Sequence, residues 1–214
     1  MSLIQTRGHL VLALLLAVIA GGAGILVARH TSPPASSIEG LLWPNPRTLG
    51  TFSVVDQDGA AFTRDNLRGR WSLLFFGFTH CPDVCPVTMS VLAQARPGLT
   101  AAAGDTPLQV IFVSVDPERD GPAQLAEYVR YFDKGFLGLS GTLDQVQALT
   151  SQLGVAFFRG PATSTGDYAV DHSAAIFVID PQARMVGVLS APHQAESLVT
   201  RFQNITDFLR RAGA

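Results

Sequence analysis

Two short stretches, Trp71–Phe76 (WSLLFF) and Leu108–Val115 (LQVIFVSV), are apolar at nearly every position. A strand with one wet face alternates apolar and polar residues. A continuous short run is the mark of a strand buried on both faces, as in an α/β sheet covered by helices. Between them, Pro86–Ala95 has helical character that can extend toward Ala103. An amphipathic stretch, Ala123–Phe132, follows the second run, and Thr142–Leu153 reads as another helix with Thr142 as its cap. Ala174–Ile179 and Met185–Leu189 look like strands joined by an Asp-Pro turn. Gln194–Arg211 closes the chain as a helix whose Leu198, Phe202, Ile205 and Leu209 share one face. Upstream, Phe52–Val55 and Ala61–Phe62 flank DQDG, a hairpin signal. Strands alternating with helices predict an α/β fold with a mixed sheet flanked by helices. The order is that of a thioredoxin-like fold, extended by the N-terminal hairpin and by a helix inserted in the middle.

The domain so defined runs over 49–214. Residues 31–48, TSPPASSIEGLLWPNPRT, hold four prolines and several small polar residues, which predicts an extended linker with Leu41–Trp43 packing on the domain. Before it, residues 10–28 carry no charge. That length is close to the ~20 residues of a transmembrane helix. A cleaved signal peptide would use Leu10–Ala20 as its apolar core and Gly21–Gly24 as its cleavage region. The membrane-anchor reading of residues 1–30 is preferred, because apolar residues resume at Ile25–Ala28. Either reading exports the domain, which places it on the periplasmic side of a bacterial-type inner membrane. Without residues 1–30, which hold Arg7 and Arg29 and no acid, the balance is 13 basic against 17 acidic, a net charge of −4. No basic run or stripe is present, so nucleic acid is not an expected partner.

Cys81 and Cys85 are the only cysteines, and they fall just beyond the first buried strand. α/β folds place ligands outside the carboxyl ends of their strands. A structural disulfide here would close a loop too small to gain much entropy. A redox pair is a stronger reading, since a helix N-terminus lowers a thiol pKa. The C-x-x-x-C spacing, however, has one residue more than the usual redox dithiol. It spreads the sulfurs around a loop in which Pro82 and Pro86 bias both cysteines away from helical geometry. Two such thiolates with one imidazole form a soft set suited to Cu(I) and able to hold Cu(II). Zinc in a structural site wants a fourth protein ligand.

Five histidines are available. His9 and His30 flank the apolar run, His193 reads as a solvated loop residue, and His80 as an exposed or supporting neighbour of Cys81. His172 lies in Asp171–His172–Ser173 immediately before a buried strand. In a thioredoxin-like arrangement that loop faces the cysteine turn, so His172 is the candidate third ligand. Asp171 is a candidate acceptor that would orient its imidazole. Asp83, inside the cysteine loop, reads as a loop-shaping or partner-facing acid. Asp116 and Arg119 of DPERD are expected to fix a strand-to-helix turn. A peroxiredoxin is disfavoured, because its T-x-x-C spacing is one residue longer than Thr79–His80–Cys81.

Three segments, FGFTHCPDVCP (76–86), VSVDPERD (113–120) and YAVDHSAAIFVID (168–180), together resemble the signature segments of the Sco/SenC family. The resemblance covers roughly Leu49–Arg210 plus the N-terminal anchor. It implies a membrane-anchored, thioredoxin-like copper protein involved in cytochrome c oxidase assembly. It further implies that Cys81, Cys85 and His172 bind one copper ion, with Asp83 and Asp171 at acidic positions of the family motifs. The implied role is that of a metallochaperone passing copper to the binuclear site of oxidase subunit II, with a copper donor protein and a thiol reductant as further partners. The alternative is a thiol–disulfide oxidoreductase that uses Cys81 and Cys85 to reduce the cysteines of that site. A third reading is a copper or redox sensor.

Overall fold

In a computed structural model of the chain, residues 38–164 and 167–213 are described, together with Ala17. The span expected over residues 10–28 and the first part of the linker lie outside the described residues. Among the described residues, no helix is long and apolar enough to cross a membrane.

The strands are β1 (Arg47–Thr48), β2 (Ser53–Asp56), β3 (Ala61–Thr63), β4 (Trp71–Gly77), β5 (Leu108–Ser114), β6 (Leu137–Ser140), β7 (Phe157–Arg159), β8 (Val170–His172), β9 (Ile176–Ile179) and β10 (Arg184–Leu189). From Ile38 onward the α-helices are α1 (Val84–Ala103), α2 (Pro122–Phe132), α3 (Leu143–Leu153) and α4 (Ala195–Ala212). Eight strands form one mixed sheet in the order β1-β10-β9-β4-β5-β6-β2-β3. The two continuous apolar runs are its central pair: β4 and β5 lie parallel, and every residue of β4 is buried. The expected hairpin is β2–β3. Strands β1 and β6 of this sheet, and the separate β7–β8 pair, are additions to the expected set.

Side chains of a strand alternate between faces, and the core divides accordingly. Leu73 and Phe75 pack with Val110 and Phe112 against Met89 and Leu92 of α1 and Leu198 and Phe202 of α4. Leu74 and Phe76 pack on the other side with Ile111 and Val113, against Val146, Leu149 and Leu153 of α3. The predicted apolar face of α4, Leu198, Phe202, Ile205 and Leu209, is wholly buried. Helix α3 starts as its sequence predicts: the Thr142 hydroxyl accepts from the Gln145 amide at 3.3 Å, and the Gln145 side chain accepts from the Thr142 amide at 2.9 Å.

The described part of residues 31–48 is strapped along β10 instead of standing clear of it. The Leu42 amide donates to the Val186 carbonyl and the Val188 amide to the Gly40 carbonyl, both at 2.8 Å. Gly40 has φ +79°, and a Cβ there would lie 2.2 Å from the Val188 oxygen, so only glycine fits. The compact unit therefore begins at Ile38.

Register explains where a site forms. Gly77 pairs with Ser114 in parallel, so the turns after β4 and β5 leave the same sheet edge. Strand β9 runs antiparallel to β4 with Ile176 opposite Phe75, so its beginning lies at that edge too. The residues just before Ile176, His172 among them, must then approach the turn that carries Cys81.

Candidate metal centre

The Sγ atoms of Cys81 and Cys85 and a ring nitrogen of His172 lie within 4.8 Å of one another. Both cysteines are free thiols, Cys81 half-buried and Cys85 buried. Cys81 stands in the loop before α1, its amide donating to the Phe78 carbonyl at 3.2 Å. Cys85 departs from the expected loop geometry and sits in the first turn of α1. The proline after it does not prevent this, because first-turn amides have no intrahelical acceptor to lose. Gly77 lets the sulfur approach the end of β4: a Cβ at that position would lie 2.7 Å from Cys85 Sγ.

His172 ends β8, paired with Phe157 of β7 in a two-stranded ribbon separate from the main sheet. Its ring stands edge-on to Phe75 and Phe78, with centroids 6.2 and 6.0 Å away. Nδ1 lies 3.0 Å from the Ser173 carbonyl, which only accepts, so the proton belongs on Nδ1. Nε2 keeps its lone pair and lies 3.4 Å from Cys85 Sγ. Burial pushes the His172 pKa down, with the Ser173 bond and the Asp171 charge working the other way. The imidazole is thus neutral at physiological pH and presents a free donor atom to the thiols.

Cys85 does not behave as the helix N-terminus led the sequence to suggest. Burial raises its pKa strongly, against a hydrogen bond from the Phe78 backbone, and the neighbouring Cys81 and the Asp120 charge raise it further. Desolvation outweighs the helix end here. Without a cation, Cys85 is a protonated thiol.

The other predicted residues fall around these three. Asp171 lies on the exposed side of β8, and the Ser173 carbonyl takes the orienting role expected of it. Successive strand residues face opposite ways, which separates Asp171 from the ring it precedes. Asp83 is exposed at the N-cap of α1 and makes no side-chain cap bond. His80 is exposed, its Nδ1 3.1 Å from the Thr79 hydroxyl. Asp116 and Arg119 do form the strand-to-helix turn, with the Asp120 amide donating to the Asp116 carbonyl at 3.0 Å and an Arg119–Asp116 ion pair.

His193 is a correction. It is half-buried, and its Nε2 lies 2.8 Å from the Ala174 carbonyl, so it tethers the loop that follows His172. The turn before α4 lays it on that loop, a tertiary contact invisible to local pattern. Asp120 is a further supporting residue that the sequence did not reveal. It is fully buried and accepts from the Thr79 amide (2.9 Å), the Thr79 hydroxyl (2.6 Å) and the Ser114 hydroxyl (2.7 Å). It thereby binds the cysteine turn to the end of β5. An Asp at the end of a turn that already holds Asp116 and Glu118 carries no local signal of such a role.

Chemically, two sulfurs of unequal exposure and one lone-pair nitrogen converge on a point. That donor set fits a soft monovalent or borderline divalent cation.

The SCO1/SenC family model matches residues 43–207. A protein of Stutzerimonas stutzeri is 39% identical over 168 residues, covering 78% of this chain and 81% of that one. The mitochondrial SCO2 homolog of Bos taurus is 40% identical over 162 residues, covering 76% of this chain and 58% of its own length. The chain thus spans little more than half of that longer relative. Among solved structures, Arabidopsis thaliana ScoI with copper bound has a TM-score of 0.68 and 33% identity, covering 76% of this chain and 98% of that one. Yeast Sco1 with copper bound has a TM-score of 0.67 and 36% identity, covering 73% and 86% respectively. The mixed sheet flanked by helices is therefore the thioredoxin-like fold of these proteins, and the chain belongs to the SCO1/SenC family.

Proposed function

We infer that this chain is a copper metallochaperone: it takes up one copper ion at Cys81, Cys85 and His172 and delivers it to the binuclear copper site of cytochrome c oxidase subunit II. The observation that carries the reading is the convergence of two thiol sulfurs and an unprotonated imidazole nitrogen within 4.8 Å. Copper-bound relatives of the same fold support the choice of cargo. The neutral His172 ring is ready to ligate, whereas the Cys85 thiol must lose its proton as the ion arrives. A bound cation supplies that deprotonation by direct coordination. Half-buried Cys81 gives an incoming partner thiol a place to begin ligand exchange.

The apolar run over 10–28 supports a membrane anchor that holds the domain on the exported side of a bacterial-type inner membrane, facing subunit II. A copper donor and a thiol reductant complete the partner set, because both thiols must be reduced before loading.

The second reading, a thiol–disulfide oxidoreductase acting on subunit II, rests on the two adjacent free thiols. It is weaker because the thiolate is the attacking species and burial holds Cys85 protonated. The two readings separate in one pair of mixtures. Copper-loaded full-length protein mixed with the reduced, metal-free copper domain of subunit II should transfer its ion, ending metal-free with the copper on the domain. Reduced, metal-free protein mixed with the oxidised domain, copper excluded, should react slowly. Fast reduction without copper transfer would overturn the metallochaperone reading.

A further inference from the structure

We propose that Arg119 and Tyr168 form a latch that positions His172 over the cysteines, so that the turn after β5 governs the third ligand. The proposal rests on the copper reading for its functional meaning and on geometry for its substance. His172 does not belong to the main sheet. It ends a ribbon of two three-residue strands, β7 and β8, and a ribbon that small holds no fixed position by itself. On its C-terminal side the chain is fixed quickly, by the His193 tether to Ala174 and by Ile176 entering the sheet. On its N-terminal side the anchor is Tyr168.

Tyr168 is buried and gripped from several directions by residues of the β5–α2 turn. Its hydroxyl donates to Asp116 Oδ1 at 2.7 Å, and its carbonyl accepts from Arg119 Nη2 at 3.0 Å. The Arg119 guanidinium lies over its ring at 3.7 Å from the centroid, and that of Arg159 at 3.6 Å. Arg159 is itself paired to Glu118 at 2.7 Å. Arg119 is mostly buried and paired with Asp116, which is buried too, so the grip is made where solvent does not compete. The same guanidinium stands 5.6 Å from the Phe78 ring, which in turn borders the His172 imidazole. Arg119 thus reaches the ligand by two routes, through four residues of backbone from Tyr168 and through Phe78. Neither Arg119 nor Tyr168 offers an atom to the three-donor group, so both are positioning residues.

The test compares wild type, Arg119→Met, Tyr168→Phe, His172→Ala and the Arg119→Met/His172→Ala double variant, all as full-length reduced protein. Hydrogen exchange is read on the metal-free protein and Cu(I) affinity by competition with a chelator. In Arg119→Met, amides of residues 168–172 should exchange several-fold faster while those of β4 and β5 keep their protection. Cu(I) affinity should fall about 10-fold, as when a supporting partner of a metal ligand is removed. Tyr168→Phe keeps the ring and loses only the hydroxyl bond, so it should show the same changes at smaller size and guards against a misfolded arginine variant. In the His172→Ala background, Arg119→Met should cost no further affinity. Unchanged exchange over 168–172, or an equal loss of affinity with and without His172, overturns the latch. Faster exchange with Cu(I) affinity unchanged in both Arg119→Met and His172→Ala overturns the assignment of His172 as a ligand instead.

Discussion

Replacing Gly77 with Ala tests the packing of the centre most directly. The added Cβ would meet Cys85 Sγ at 2.7 Å and Phe112 Cε2 at 2.8 Å, with Phe112 Cζ at 3.3 Å. Ordinary contacts between such atoms begin near ~3.5 Å, so two of the three are well inside repulsion. Neither neighbour can swing aside, since Cys85 and Phe112 are both 0% exposed. Gly77 lies in a regular stretch of β4 and has no positive φ, so the cost is steric and not conformational. One methyl forced into a closed core costs about 1–3 kcal/mol. At 2–4 °C per kcal/mol for a chain of this size, a loss of about 2 kcal/mol lowers Tm by about 4–8 °C. The displaced atom is the Cys85 sulfur that we propose as a ligand, so Cu(I) affinity should fall together with Tm. Thermal unfolding of the reduced protein, paired with chelator competition, reads both. A Gly77→Ala variant with Tm within about 1 °C of wild type and undiminished affinity would refute the close approach of Cys85 to β4.

Three other perturbations follow from buried groups. Among the described residues the buried Tyr128 hydroxyl has no hydrogen-bond partner, so Tyr128→Phe should raise stability by about 1 kcal/mol in urea unfolding, and a loss would contradict the orphaned hydroxyl. Asp120→Asn removes a charged acceptor from the Thr79 amide, the Thr79 hydroxyl and the Ser114 hydroxyl. It should cost about 2 kcal/mol in the same assay, an unchanged midpoint being the contrary result. His172 and His193 have pKa values lowered from 6.5 chiefly by burial. As pH falls through that value the unfolded chain takes up protons that the folded one refuses, so their contribution to stability is present at higher pH and is lost below about 6.5. Tm should therefore drop between about pH 7.5 and 5.5, well above the range in which Asp133, its pKa lowered by Arg96 and the Gly135 amide against its burial, loses its contribution. A flat Tm across that interval would contradict the burial of the two imidazoles.

What the sequence disclosed and what it hid divide along a physical line. Strands β4 and β5 were legible because they are buried on both faces, so no alternation obscured them. Helix α4 and the Thr142 cap were legible because helical period and capping chemistry are local. The meeting of Cys81, Cys85 and His172 was legible because the thioredoxin-like order sets the end of β4 against the start of β9. The supports were not. Ser173 orients the ring through its backbone carbonyl, which any residue could supply, so the nearby carboxylate of Asp171 looked the better acceptor. His193 and Asp120 act across 19 and 41 residues of chain, on Ala174 and Thr79 respectively. The turn motif DPERD announced its local role in Asp116 and Arg119, while its grip on Tyr168, 49 residues beyond Arg119, depends on where a separate ribbon folds back. The pKa of Cys85 went against its helix position because burial, a tertiary property, is the larger effect.

The central claim is that Cys81, Cys85 and His172 together hold one copper ion. Copper-edge X-ray absorption on the reduced, fully loaded chain counts both ion and ligands. One copper per chain with two sulfur scatterers and one nitrogen scatterer is the expected result, with the nitrogen lost in His172→Ala and one sulfur lost in Cys85→Ser. A His172→Ala spectrum identical to wild type, at unchanged stoichiometry, would contradict the account.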